Sequence, residues 1–284
     1  MFVADNRVSS AKSYFFEQLS DAFTNSECKS MWTTVLRVYF GWSSSDILLK
    51  SDERFSESDL LRIRSVVKRL QANEPFQYII GEVYFADVLL KIDARALIPR
   101  PETEELVALV QKQGLKFGSI IDFCTGSGCI ALALKKYYPT AHVSALDLSQ
   151  GAIELAIENA KLNKLELQAM VQDIFTWKSP EQFDLIVSNP PYIPQQEAAQ
   201  MQQNVLAHEP HMALFVEDQT PLIFYERLAQ LAVSNLQTNG IMALEVHENL
   251  AQQTLHLFEA DLFKRREIHC DLQGKERMIL VQKA

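Results

Sequence analysis

The sequence predicts an α/β protein in which a doubly wound, mostly parallel sheet follows a small helical bundle and a β-hairpin linker. Two observations indicate this. From residue 118 onward, short apolar runs alternate with stretches of helical periodicity, and this alternation is typical of a parallel sheet covered by helices. Before residue 76, the apolar residues have helical spacing only. We therefore predict a helical domain at 1–75, a hairpin linker at 76–96 and a larger domain at 97–284.

Composition limits the classes of function. The chain has 284 residues, of which 48% are hydrophobic, enough for a substantial core in a soluble protein. Its net charge of −9 argues against a surface that follows phosphates, so we expect no stable nucleic-acid partner. The four cysteines form no Cys-x-x-Cys pair, the first ten residues lack an apolar signal core, and no apolar run could cross a bilayer. These features indicate the cytoplasm and no membrane partner.

The helical domain has three clear amphipathic patterns, at residues 14–23, 31–42 and 56–70. None of them has the spacing of a catalytic or metal site. The bundle could be a docking module, a lid or a stabilising cap, and we favour docking.

Pro75 predicts the end of the last of these helices. Residues 82–85 and 88–92 are two β-like runs around Ala86-Asp87, which predicts a hairpin. Extended, proline-flanked backbone at 97–101 then leads into a helix that ends near residue 112. The residues at its start, Glu102, Thr103 and Glu104, fit a helix N-terminus as well as a site role.

The larger domain is predicted as alternating elements. Its strands are expected at 120–123, 142–146, 168–172, 183–187, 241–246 and in a final pair that ends at 278–281, and its helices at 128–136, 151–161, 222–236 and up to 258. Ligands of such sheets bind beyond the carboxyl ends of the strands.

A glycine-bearing turn follows the first of these strands. It consists of Cys124, Thr125, Gly126, Ser127 and Gly128. Its glycines allow the backbone to approach a ligand closely, and the helix start behind them favours an anionic group. The spacing matches neither the dinucleotide-binding fingerprint nor a P-loop. We predict that these five residues bind a cofactor.

Acidic residues end the next two strands. Asp147 lies 19 residues after Gly128, where a carboxylate can accept both hydroxyls of a ribose. Asp173 and Ile174 place an acceptor and an apolar side chain where an adenine could rest. Asp122, within the first strand, is expected to be structural.

The segment 188–192, Ser-Asn-Pro-Pro-Tyr, follows a buried strand. Its prolines fix the backbone and offer carbonyls without N–H groups. The side-chain carbonyl of Asn189 and the main-chain carbonyl of Pro190 can therefore converge on one planar –NH2 group, with Tyr192 over its face. We predict Asn189, Pro190 and Tyr192 as catalytic residues and, with Pro191, as the substrate site. An ordinary turn is the alternative.

Together these motifs resemble S-adenosylmethionine-dependent methyltransferases that act on amino groups. More narrowly, the chain is similar to the release factor glutamine methyltransferase family (PrmC/HemK). The resemblance covers nearly the whole chain, and its further motifs lie at residues 77–81, 98–104, 209–210, 245–247 and 271–277.

This resemblance implies a Rossmann-like methyltransferase domain that uses S-adenosylmethionine, releases S-adenosylhomocysteine and needs no metal. The cofactor residues would be the turn 124–128, Asp147, Asp173, Ile174 and Asn189. The implied substrate is the glutamine of the Gly-Gly-Gln loop of class I peptide chain release factors, methylated at N5 by a monomer.

Two departures from the family pattern stand out. Residues 216–220 replace glycines common in the family, and Cys124 stands where many relatives have glycine. His208 and His211 are expected to be surface or packing residues, with a role in a lid as the minor alternative. The rival functions are an adenine-N6 DNA or RNA methyltransferase, since flipped adenine presents the same –NH2 group, and a catalytically silent cofactor-binding scaffold.

Overall fold

A computed structural model describes Val3 and residues 5–284. The chain divides into two compact units. One comprises Met1–Gly81 with Gln203–His208, and the other Glu82–Gln202 with Glu209–Ala284. Residues 1, 2 and 4 of the predicted first domain lie outside the described residues. Within the described part of the chain, every helix is too short or too polar to cross a bilayer.

The first unit is helical. Its helices are α1 (Val8–Leu19), α2 (Asn25–Phe40), α3 (Ser44–Leu49), α4 (Glu57–Gln71), α5 (Phe76–Ile80) and, from later in the chain, α9 (Gln203–His208). Capping boxes begin α2, α3 and α4, with Thr24, Ser43 and Ser56 as the capping residues. The core includes the fully buried side chains of Phe15 and Ile63.

Helix α5 follows Pro75 directly, within the segment 76–96 that was predicted to be a hairpin linker. Pro75 is its N-cap, a position at which the missing N–H costs no intrahelical hydrogen bond. The hydroxyl of Tyr39 donates to the carbonyl of Ile79 at 2.8 Å. Helix α4 has already ended at Gln71, and the proline begins a new helix.

The second unit contains the predicted hairpin, β1 (Glu82–Phe85) and β2 (Val88–Lys91), and a seven-stranded sheet. The sheet strands are β3 (Ser119–Phe123), β4 (His142–Asp147), β5 (Gln168–Val171), β6 (Phe183–Ser188), β9 (Leu236–Glu245), β10 (Phe263–Cys270) and β11 (Glu276–Lys283). Their order is β10-β11-β9-β6-β3-β4-β5. Strands β9, β6, β3, β4 and β5 are parallel, and β11 runs antiparallel to both of its neighbours, β9 and β10, so the predicted fold class is confirmed.

Helices complete this unit. They are α6 (Pro101–Lys112), α7 (Cys129–Tyr137), α8 (Gln150–Asn163), α10 (Ile223–Asn235) and α11 (Ala251–His256), and a two-residue parallel pair joins β7 (Ile193–Pro194) to β8 (Phe215–Val216). Side chains alternate across the sheet: Ile120 lies in one buried cluster and Ile121 in another.

The strand order reverses at β3. From β3 the chain moves to β4 and β5 on one side and later to β6 and β9 on the other. Phe123 is in register with Leu146 of β4 and Ser188 of β6. The segments after these three strands therefore leave the sheet at one edge, which is where α/β sheets bind ligands.

Candidate active site

A cleft lies beyond the carboxyl ends of β3, β4 and β6, with about 930 Å³ of space that is partly open to solvent. Of the predicted site residues, its wall contains Cys124, Gly126, Asp147, Asp173, Ile174, Asn189 and Pro191. The remaining predicted residues of the described chain lie behind or beside that wall: Thr125, Ser127, Gly128, Pro190 and Tyr192.

The turn after β3 has left-handed backbone. Gly126 and Gly128 have φ values of +56° and +81°, and Cys124 has +60°. At Gly128 a Cβ atom would also lie 3.1 Å from the Cβ of Ala156. Glycine is therefore required at 128 for both conformation and space. The left-handed φ at Cys124 is a conformation that glycine adopts without strain. Burial raises the pKa of the Cys124 thiol, which makes it a poor nucleophile.

Thr125 and Ser127 are buried and serve the turn itself. The Thr125 hydroxyl donates to Oδ2 of Asp122 at 2.6 Å, and the Thr125 N–H donates to the carbonyl of Leu146 at 3.0 Å. The amide of Asn159, a fully buried residue of α8, donates to the carbonyl of Ser127 at 2.9 Å. Asn159 was not predicted, since its partners lie in distant segments.

Asp122 is buried beneath the turn, as expected of a structural residue. Its Oδ2 accepts from Thr125 and from the N–H of Ala131, while Oδ1 has no partner in the described chain. Burial raises the pKa of Asp122 to about 7. The carboxyl group thus binds a proton far more readily than an exposed aspartate.

Asp147 ends β4 and faces the cleft. Its Oδ2 accepts the N–H of Gly126 and its Oδ1 accepts the N–H of Ser149, both at 2.9 Å. Burial raises the pKa of Asp147, and these backbone hydrogen bonds oppose the rise. Since each carboxylate oxygen can accept twice, both retain capacity for a ligand hydroxyl.

The far wall of the cleft is apolar. Oδ1 of Asp173 accepts the N–H of Phe175 at 2.9 Å, which holds the turn after β5. Ile174 is buried, and the ring of Phe175 packs on Phe224 with centroids 5.0 Å apart. Phe175 and Phe224 extend the apolar surface that Ile174 was predicted to supply.

Asn189 leaves β6 beside α6. Its Nδ2 donates to the hydroxyl of Thr103 at 3.1 Å, and that hydroxyl donates to Oε2 of Glu245 at 2.6 Å. The Tyr192 hydroxyl donates to the other oxygen of Glu245 at 3.0 Å. Thr103 and Glu245 belong to motifs that carried the resemblance. The sequence left Thr103 between a helix N-terminus and a site role, and it assigned Glu245 none.

A second buried acid holds another part of the wall. Glu209 accepts the N–H of Ile98 at 3.1 Å and a hydrogen bond from Arg100 at 2.7 Å. The cleft wall continues directly after it with Pro210, Met212 and Ala213. The Ile98–Arg100 segment therefore anchors this loop.

The remaining loop residues behave as ordinary structure. His208 ends α9, and exposed His211 packs its ring edge-on to Phe215 at 5.4 Å. None of residues 216–220 has a positive φ, so this turn needs no glycine. Within the described chain, no group of three His, Cys, Asp or Glu side chains could hold a metal ion.

Comparison with known proteins identifies the family. The Methyltransferase small domain matches residues 101–218, and the PrmC N-terminal domain matches residues 13–81. A release factor glutamine methyltransferase of Flavobacterium psychrophilum is 38% identical over 95% of this chain and 97% of its own. One of Lactococcus lactis is 42% identical over 81% and 85%. The chain belongs to the release factor glutamine methyltransferase family.

Two solved structures of methyltransferases have a fold similar to that of this chain. A methyltransferase of Pyrococcus furiosus superposes with a TM-score of 0.50 at 18% identity, covering 80% of this chain and 98% of its own. A 16S rRNA methyltransferase of T. thermophilus, solved with AdoMet and guanosine, gives 0.51 at 16% identity over 72% and 50%. At these identities the likeness concerns the fold alone.

Proposed function

We propose that this enzyme transfers the methyl group of S-adenosylmethionine to N5 of the glutamine in the Gly-Gly-Gln loop of class I release factors. The family membership and the cleft support this function. The cofactor is S-adenosylmethionine, whose sulfonium supplies an electrophilic methyl group. When bound, the cofactor would supply this methyl group to the amide nitrogen, with the methyl–sulfur electron pair left on sulfur as S-adenosylhomocysteine forms, and the methylated nitrogen would lose its extra proton to solvent as the product leaves the cleft.

The cleft residues suit this cofactor. Gly126 lines the cavity and has left-handed backbone without a Cβ, so it can lie directly against the cofactor, while Gly128 lets the turn pack against Ala156. Asp147 would accept the ribose hydroxyls, and Ile174 with Phe175 would face the adenine. Cys124 and Asp173 line the same cavity, while Thr125 and Ser127 support the turn from behind.

The observation that carries the proposal is the orientation of Asn189. Because Nδ2 donates to Thr103, Oδ1 is the end of the amide left for a ligand. Oδ1 and the Pro190 carbonyl would accept the two hydrogens of the glutamine amide, which aims its nitrogen and stabilises positive charge that develops there. Tyr192 and Pro191 would exclude water from the same amide.

The test is transfer of labelled methyl from the cofactor to three substrates in parallel: a release factor, the same factor with its Gly-Gly-Gln glutamine replaced, and adenine-containing DNA. We expect label in the first only. Label in DNA would support the adenine-N6 rival, and label in none of them would support a silent scaffold.

The first unit would dock the release factor, since an amide clamp cannot by itself tell glutamine from asparagine. The side chains of Leu48 and Leu49 in α3 are 81% and 82% exposed. Adjacent apolar side chains with this exposure suit a protein partner. We propose that Leu48 and Leu49 are part of the docking surface.

We also place the enzyme in the cytoplasm as a monomer without a nucleic-acid partner. Its cysteines are free thiols, which suits a reducing compartment. Its net charge of −9 opposes binding to phosphates.

A further inference from the structure

We propose that Glu245 is a positioning residue that, through Thr103, fixes which end of the Asn189 amide faces the substrate. The inference deepens the proposed function and rests on it. It concerns residues behind the cleft wall, since Thr103 and Glu245 do not line the cavity.

The three side chains form a continuous chain of hydrogen bonds. Asn189 Nδ2 donates to Thr103 Oγ1 at 3.1 Å, and Thr103 Oγ1 donates to Glu245 Oε2 at 2.6 Å. Thr103 is 2% exposed and Glu245 is 1% exposed. Water cannot readily replace the Thr103–Glu245 link, because both groups are buried and already paired.

The direction of each hydrogen bond follows from donor counting. A carboxylate can only accept, and a hydroxyl has one hydrogen to donate. Thr103 gives its hydrogen to Glu245, so it can only accept from Asn189. The amide of Asn189 must therefore turn its NH2 group toward Thr103 and its Oδ1 away. The reverse orientation would place two acceptors, Asn189 Oδ1 and Thr103 Oγ1, against each other.

The other carboxylate oxygen is held as well. Tyr192 donates its only hydroxyl hydrogen to Glu245 Oε1 at 3.0 Å. Burial raises the pKa of Glu245, while the hydrogen bonds from Thr103 and Tyr192 and attraction to Arg277 favour the ionised carboxylate, and nearby Glu102 opposes it. One buried carboxylate thus orients the Asn189 amide through Thr103 and holds the Tyr192 hydroxyl in place.

If the Asn189 amide were flipped, its NH2 group in place of Oδ1 would face the NH2 group of the substrate amide, and two donors would oppose each other. Thr103→Val keeps the shape but removes the acceptor, so Nδ2 would face a methyl group without a partner. The flipped orientation then becomes favoured, and we expect the single-turnover rate at saturating substrates to fall on the order of tenfold or more. Glu245→Gln should also slow the step, since a glutamine can donate to Thr103 and so reverse the chain.

The matched control is Thr103→Ser, which retains the hydroxyl and should restore most of the rate lost in Thr103→Val. Affinity for S-adenosylmethionine, from calorimetry, should change much less than the rate in all three variants. If Thr103 contributed only to stability, Thr103→Val and Thr103→Ser proteins of equal thermal stability would have equal rates of methyl transfer.

A second readout needs no substrate. In the full-length protein, the side-chain amide signal of Asn189 can be assigned by NMR from its loss in Asn189→Ala. The Nδ2 hydrogen that is bonded to Thr103 should exchange slowly with solvent in wild type and in Thr103→Ser. In Thr103→Val the exchange should be faster by on the order of tenfold.

The two proposals fail separately. If wild type puts no label on the release factor glutamine, the proposed function is wrong, while the exchange measurement still decides the orientation of Asn189. If wild type methylates the factor and Thr103→Val keeps both its rate and the slow exchange, the positioning role is overturned.

Discussion

The carboxylate of Asp147 accepts the N–H of Gly126 at 2.9 Å, which joins the end of β4 to the glycine turn after β3. We therefore expect Asp147→Asn to weaken cofactor binding twice over, through the ribose contacts and through the turn. Loss of a charge-assisted hydrogen bond costs roughly 1.5 to 3 kcal/mol. Calorimetry should show the dissociation constant of S-adenosylmethionine rising about tenfold or more.

The control for this variant is Asp184→Asn. Asp184 also accepts two backbone N–H groups, from Gly118 and Ser119, but at the opposite edge of the sheet. Its replacement should leave cofactor affinity unchanged. Equal affinity of wild type and folded Asp147→Asn would remove Asp147 from the cofactor site.

Asn189→Ala removes one of the two proposed acceptors of the substrate amide. Loss of one preorganised polar partner lowers turnover on the order of 100-fold or more. Cofactor affinity should fall less than the rate of methyl transfer. Asn163→Ala is a suitable control because Asn163 donates only within the fold, to the carbonyls of Leu89 and Asn159. Single-turnover rates within a few-fold of wild type would contradict the amide-clamp mechanism.

The rate should depend on the ionisation of Glu245. Burial raises the pKa of Glu245, and only its ionised form accepts from both Thr103 and Tyr192. We expect the single-turnover rate at saturating cofactor to increase as pH rises through this raised pKa. The groups that face Glu245 are Glu102, Arg277 and the hydroxyls of Tyr192 and Tyr225.

The comparison that isolates Glu245 uses two variants. Glu245→Gln should lose the acid limb of the profile, and Glu102→Gln should keep it. The free energy of unfolding should decrease over the pH range in which the rate increases. Because the folded pKa of Glu245 exceeds its unfolded value, the contribution of this residue to the free energy of unfolding decreases as pH rises through the folded pKa. An acid limb that persists in Glu245→Gln would assign it to another group.

Leu48→Asp combined with Leu49→Asp should weaken docking of the release factor. We expect a higher KM for the factor with little change in kcat or in cofactor affinity, because such a change removes binding shared by ground and transition states. Leu262→Asp is the control. Leu262 is also exposed, and it precedes Phe263, which pairs with Lys283 at the sheet edge opposite Glu245. Equal KM values for the two variants would place docking elsewhere.

At residue 124, glycine should give a more stable protein than alanine, which is the reverse of the usual order. Alanine normally gives the more stable protein, because glycine is more flexible when unfolded. With φ at +60°, a side chain there costs roughly 1 to 2 kcal/mol. We expect Cys124→Gly to be more stable than Cys124→Ala by about 1 kcal/mol in denaturant unfolding. The reverse order would show that residue 124 is not left-handed in solution.

Local patterns were enough to predict the strands and the segments that follow them. The glycine turn, Asp147 and residues 189–192 each follow a strand in sequence, and parallel strands bring such segments to one edge. The pairing of Thr103 with Glu245 could not be predicted in this way. These residues are 142 positions apart, and their contact depends on where α6 lies beside β9.

Helix α5 shows a different limit. Pro75 was interpreted as the end of helical structure, but a proline can also precede a new helix. The five residues that follow it contain no local signal strong enough to decide. The contact of Tyr39 with Ile79, 40 positions apart, is part of the tertiary structure that holds α5.

The first compact unit is discontinuous in the chain, because α9 (Gln203–His208) belongs to it although 121 residues of the second unit, 82–202, come between. A fragment that ends at Gly81 would lack one of the unit's helices, and a chain begun at Glu82 would carry that helix without its neighbours. Chimaeras between relatives would therefore have to exchange both segments together. For the same reason, the two parts of this unit should have been inherited as a pair, and a family comparison should find their substitutions correlated.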